Sequence, residues 1–156
     1  MKAKNLSLSG FRNIENANLS FSPEITFLLG DNAQGKTNVL EALYLFARGK
    51  SFRGATDKEI TRFTGNGYAL NLTYEKEDRE ESLFVSSFGR EKIRKKNGIL
   101  LEKQSELIGK FRAVLFSPDD LQMVKGAPSE RRRFLDIAIS QCYPVYLSLY
   151  ARYQKN

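Results

Sequence analysis

The chain has 156 residues, 41% of them hydrophobic and 28% charged, with a formal net charge of +7; that suits one globular domain with a real core. A single cysteine, Cys142, and no histidine exclude an internal disulfide and make structural zinc implausible, while the absence of a long apolar run or a charged-then-apolar leader argues against a membrane protein and for the cytoplasm. The positive balance is compatible with a polyanionic partner such as DNA or RNA without requiring one.

Leu6 and Leu8 alternate with Ser7 and Ser9, which predicts a strand that Gly10 ends. Phe11, Arg12 and Asn13 form a short turn, and Ala17, Leu19 and Phe21 alternate again before Ser22-Pro23 breaks the run. Arg12 suits stacking on a base or meeting a phosphate, and equally suits a solvated turn.

Ile25, Phe27, Leu28 and Leu29 then form an apolar, β-prone run that predicts a buried strand. Gly30, Asp31, Asn32, Ala33, Gln34, Gly35, Lys36 and Thr37 follow, matching G-x-x-x-x-G-K-[ST] at every required position. Val39, Leu40, Leu43, Tyr44, Phe46 and Ala47 recur at helical spacing immediately afterwards. Strand, glycine-bounded loop and helix together are what a phosphate-binding loop needs. The glycines let the backbone curl, and the helix start adds free N–H donors and partial positive charge. Lys36 supplies full charge for the outer phosphates, and the Thr37 hydroxyl suits Mg²⁺ ligation. The expectation is a nucleoside triphosphate site.

Gly49 to Asp57 read as a basic loop, with Thr56 or Asp57 capping a short helix through Ile60 and Phe63. Tyr68, Leu70, Leu72 and Tyr74 alternate as a strand, and the charged run Glu75 to Glu81 predicts an exposed turn. Leu83–Phe88 and Lys92–Lys96 predict a hairpin, followed by an Asn97-Gly98 turn. Lys92, Arg94 and Lys96 share one face, either a track for a phosphate backbone or, the preferred reading, a solvated edge. Gln104–Gly109 predicts a short helix, Arg112–Phe116 a buried strand, and Ser117 to Met123 a helical turn. Ser129 is expected to cap a helix with Leu135, Ala138, Ile139 and Cys142 on one face. Arg131, Arg132 and Arg133 near its start oppose the helix dipole and ask for an anionic partner. Pro144 opens a last helix.

A phosphate-loop hydrolase also needs an apolar strand ending in an acid. Asp119-Asp120 follow Ala113–Phe116 only after Ser117-Pro118, and Glu102 follows too short a run. The expectation is therefore one part of a longer protein. Two other classes stay open on the residues alone: a phosphate-loop enzyme such as a small-molecule kinase, or a non-catalytic nucleic-acid module.

The order SLSGFRNI, ITFLLGDNAQGKTNVLEALYLFA, GKSFRGATDKEI and VLFSPDDLQMVKGAPSERRRFLD resembles the bacterial RecF family, across essentially the whole chain. The resemblance implies an α/β fold: a phosphate-loop ABC-type ATPase head related to SMC proteins, here its N-terminal lobe, with a mixed sheet and an antiparallel β subdomain. It implies ATP and Mg²⁺ as cofactors, ATP-dependent head dimerisation, and binding to double-stranded DNA next to single-strand gaps. It further implies RecO and RecR as partners in loading RecA. By resemblance Gly30 to Thr37 bind ATP, Arg12 contacts the nucleotide, and Asp119 stands where a magnesium and γ-phosphate sensor is expected. The signature motif and second acid belong to a further part of such proteins, so this segment is expected to bind ATP without hydrolysing it efficiently alone.

Overall fold

Leucines and tyrosines at every second position build the sheet on which everything else rests. The computed structural model describes residues 1–121 and 126–154. Its strands are β1 (Lys2–Phe11), β2 (Ile14–Ser20), β3 (Gly67–Lys76), β4 (Arg79–Phe88), β5 (Glu91–Lys96) and β6 (Ile99–Leu100). They form one sheet in the order β2-β1-β3-β4-β5-β6, and every neighbouring pair is antiparallel. Register brings the apolar positions into rows across the sheet: Leu19 opposite Leu6, Leu6 opposite Leu72, Leu72 opposite Leu83. One face of β2, β1, β3 and β4 is therefore largely apolar, and the rows end at β5, where Lys96 stands opposite Leu83 and Arg94 opposite Val85.

That face is covered by α1 (Lys36–Arg48), whose Val39, Ala42, Leu45 and Phe46 are buried in the same cluster as Leu6, Leu8, Leu70 and Leu72. Burying such side chains contributes about 1.5–3 kcal/mol each. Gly49, at φ 69°, ends α1 and donates its N–H to the Leu45 carbonyl. The short α2 (Asp57–Ile60) is fixed by a capping box in which the Glu59 carboxylate accepts the Thr56 N–H at 2.7 Å. It ends at Ile60, so Phe63, expected within it, is fully exposed. Two longer helices follow, α3 (Pro128–Cys142) and α4 (Pro144–Tyr153).

Several expectations are corrected. Ile25–Leu29 and Arg112–Phe116 are not strands: neither segment pairs with a neighbour among the described residues, and Phe27, Leu29, Val114 and Phe116 are 77–91% exposed. An apolar run becomes a strand only where another edge accepts its hydrogen bonds, and all six strands here belong to a sheet elsewhere. The charged run Glu75–Glu81 is mostly strand, with Glu77 and Asp78 alone making the turn at φ 51° and 59°. Ser129 does not cap α3: Ala127 precedes Pro128 at the first helical position, and no side chain caps that end. The buried residues of α3 are Ser140 and Gln141, while Leu135 and Cys142 are exposed. Gln141 is held there by its job, accepting the Ala113 N–H at 3.0 Å. The expected turn through Met123 runs beyond the described residues. No helix among the described residues is long and apolar enough to cross a membrane.

Candidate nucleotide site

The loop between the Ile25–Leu29 segment and α1 is curled. Gly30 (φ 147°), Ala33 (φ 65°) and Gly35 (φ 96°) all lie at positive φ, and Gly35 leads directly into the helix. A Cβ at Gly35 would stand 3.0 Å from Asn13 Oδ1 and 3.2 Å from Ile14 Cγ1, so a side chain there is strained and crowded. No side chain caps the start of α1 and no acid lies in its first turn. Its free N–H groups and partial positive charge are therefore available to an anion.

Lys36 bends back over this loop, its Nζ donating to the carbonyls of Gly30 and Asp31 at 2.6 Å each. A cation held on two carbonyl oxygens at the mouth of an N–H-lined loop is poised to exchange them for phosphate oxygens. Asp31, Asn32, Ala33, Gln34 and Thr37 are exposed, so the loop and the Thr37 hydroxyl face solvent. The Thr37 hydroxyl is a ligand of the kind that Mg²⁺ accepts beside waters and substrate phosphates.

Arg12 lies beside the loop but is engaged elsewhere. Its Nε and Nη2 donate to the Glu41 carboxylate at 3.0 and 2.6 Å, and its Nη1 donates to the Glu59 carbonyl at 2.9 Å. Three of five guanidinium N–H groups are thus occupied, and the other two have no partner among the described residues. Glu41 is fully buried and also accepts the Ser51 hydroxyl at 2.5 Å. Sequence reasoning missed Glu41, Asn13, Asn38 and Ser51; the available signal was an acid on the apolar stripe of α1, one turn beyond Thr37.

The remaining candidates are scattered. The side chain of Asp119 lies outside the described residues. Asp120 is used locally, its Oδ2 accepting the Ser117 N–H at 2.5 Å. Of the basic cluster, Lys92 pairs with Asp57, Lys96 with Glu81 at 2.9 Å, and Lys95 lies over the Phe84 ring. Arg131, Arg132 and Arg133 are exposed at the start of α3. Burial pushes the Asp57 carboxyl up, but hydrogen bonds from Lys92 and Tyr68 outweigh it and leave it below its ordinary value of 3.8. A cavity of about 540 Å³ lies between α1, the following loop and α3, away from the phosphate loop; the chemistry marks the loop as the site.

Such a loop on such a helix defines the class, a phosphate-loop ATPase fold. The AAA ATPase domain family matches residues 1–138, and the chain belongs to that family. The sequence is similar to the DNA replication and repair protein RecF of Halalkalibacterium halodurans, at 42% identity over 99% of this chain and 42% of that protein. The fold matches a solved structure of the recombination mediator protein RecF-ATPrS in the RecFOR pathway, with TM-score 0.92 and 32% identity over 98% of this chain and 42% of that one. A solved SMC ATPase shares the fold at TM-score 0.70 and 20% identity, over 88% of this chain and 99% of that one. The chain thus spans about 42% of the length of the RecF proteins it matches.

Proposed function

We propose that this chain is the ATP-binding lobe of a cytoplasmic DNA replication and repair protein of RecF type. Gly30 to Thr37 hold the triphosphate, Lys36 neutralises its outer phosphates, and Thr37 contributes a ligand to Mg²⁺. Arg12 meets the nucleotide through the N–H groups that Glu41 and Glu59 leave unused, and Asp119 is the candidate sensor. The signature motif and the acid that polarises water come from sequence outside residues 1–156, so this lobe binds ATP but does not turn it over efficiently. ATP joins two such heads around double-stranded DNA at a gap, and RecO and RecR act with the dimer in loading RecA.

The observation that carries this reading is the curled loop, with Lys36 Nζ 2.6 Å from the Gly30 and Asp31 carbonyls at the uncapped start of α1. Similarity to a protein whose solved structure is described as that of RecF-ATP supports the choice of nucleotide. Isothermal calorimetry with ATP at millimolar Mg²⁺ tests it: saturable binding by the chain, strongly weakened in Lys36→Ala, is expected. Absence of heat with the folded chain overturns it.

A further inference from the structure

We propose, on the footing of the nucleotide reading above, that Glu41 is a positioning residue for the phosphate loop, acting through a closed ring of side chains. The ring runs through three segments that are distant in sequence. Glu41 grips Arg12 through two hydrogen bonds, and Arg12 is joined through the backbone to Asn13. Asn13 Oδ1 accepts from Asn38 Nδ2 at 2.8 Å, and Asn38 Oδ1 accepts from Arg53 Nη1 at 3.1 Å. Arg53 Nη1 returns to Glu41 Oε2 at 3.5 Å and closes the circle. Ser51, bonded to Glu41 and accepting the Arg53 N–H at 3.0 Å, braces that closure.

The side-chain bond from this ring to the middle of the phosphate loop is Asn13 Nδ2 to the Ala33 carbonyl at 2.7 Å; Asn38 adds a backbone bond at the loop's end, its N–H donating to the Gly35 carbonyl at 2.9 Å. Ala33 is the one described residue with a side chain that is held at positive φ outside a strand-to-strand turn. Such a conformation persists only where its surroundings over-determine it. Arg12, at φ 56°, occupies the first central position of the β1–β2 turn, where glycine is usual. It too is held from several sides, its N–H donating to the Ile60 carbonyl at 2.6 Å.

A merely structural role explains Glu41 poorly. A fully buried carboxylate on a helix face that otherwise carries Val39, Ala42 and Leu45 adds little over an apolar residue of similar volume. What it adds is direction: bidentate charge-assisted bonds fix the angle as well as the distance of the groups they join. Glu41 thus sets where Arg12 stands, Arg12 sets Asn13, and Asn13 sets the curl at Ala33.

The test is a double-mutant cycle read in ATP affinity by calorimetry on the whole chain. Glu41→Gln keeps the volume and removes the charge; it is expected to weaken ATP by about tenfold. Asn13→Ala removes an exposed side chain that never touches Glu41, and is expected to weaken ATP several-fold with an unchanged melting temperature. In the Asn13→Ala background, Glu41→Gln is expected to add less than about twofold, because the ring is already open. Independent, multiplying effects, or wild-type affinity in Asn13→Ala, overturn the proposal while leaving the nucleotide site intact. If Glu41→Gln does not fold, Asn13→Ala decides alone. If the wild-type chain binds no ATP, the nucleotide reading and this assignment fall together.

Discussion

The ammonium of Lys36 lies 2.6 Å from the carbonyl oxygen of Gly30, six residues back along the same loop. It therefore helps to hold the loop curled, alongside the Asn13 bond to the Ala33 carbonyl. Replacing Lys36 by Ala removes both this clasp and the charge facing the outer phosphates. Charge-assisted bonds of this kind contribute about 1.5–3 kcal/mol, so ATP affinity should fall by about tenfold to a hundredfold or more. The proposed DNA binding, if carried by surface charge elsewhere on the chain, should survive as a weak, salt-sensitive interaction. Calorimetry and a salt titration of DNA binding check the two halves.

Stability should fall at both ends of the pH scale. The Tyr74 hydroxyl, donating at 2.5 Å, holds the Glu81 carboxyl below its ordinary 4.5, with Lys96 adding to the effect. Asp57 is lowered as well. A carboxyl lowered in the folded state contributes stability that is present above its unfolded value and lost as pH falls through the folded one. The acid limb should therefore steepen below about pH 4.5, and Glu81→Gln with Asp57→Asn should flatten it. Burial and these same carboxylates raise Tyr68 and Tyr74 well above 10, so their contribution is lost as pH climbs beyond that value. Urea unfolding measured across pH reads both limbs.

Apolar residues in this chain should divide sharply by position. Phe11 is fully buried and stacks edge-on against Tyr68 at 5.7 Å between ring centres. Phe11→Ala should cost about 3–5 kcal/mol. Phe116, 78% exposed, should cost under about 0.5 kcal/mol when changed to Ser. The same change, with Phe27→Ser, should raise the concentration at which the chain aggregates, because each removes an exposed aromatic ring. Denaturation midpoints and light scattering separate the effects.

Gly10 is a second sensitive point. It sits at φ +64°, and a Cβ there would stand 2.5 Å from the Gly67 carbonyl oxygen. Gly10→Ala must strain the backbone and push β1 from β3, which should cost about 2–3 kcal/mol. The damage should reach the nucleotide loop, since the Gly10 carbonyl accepts the Arg62 N–H at 2.8 Å beside the turn that carries Arg12. Thermal melting with and without ATP checks this.

Much of this was legible from residue order because the physics was local. The alternation Tyr68, Leu70, Leu72, Tyr74 dictates a half-buried strand, and it is one. Gly30, Gly35 and Lys36 announce a curled phosphate loop, and the loop is curled. What was not legible depends on partners far away in sequence. Ile25–Leu29 has strand composition, but pairing needs an available edge, which no residue type encodes. Glu41 stands on the apolar stripe of its helix with no visible reason until Arg12 and Ser51, 29 and 10 residues away, are brought around it. Arg12 was noticed for its charge, yet the strongest claim on that charge comes from the fold itself.

The tight Glu77-Asp78 turn lies at the opposite end of ten-residue β3 from Gly67, which packs beside Gly10 near the Arg12 turn. At about 3.3 Å per residue, roughly 30 Å separates the two ends. An affinity tag or fluorophore spliced between Glu77 and Asp78 would therefore tether or illuminate the molecule without obstructing triphosphate loading.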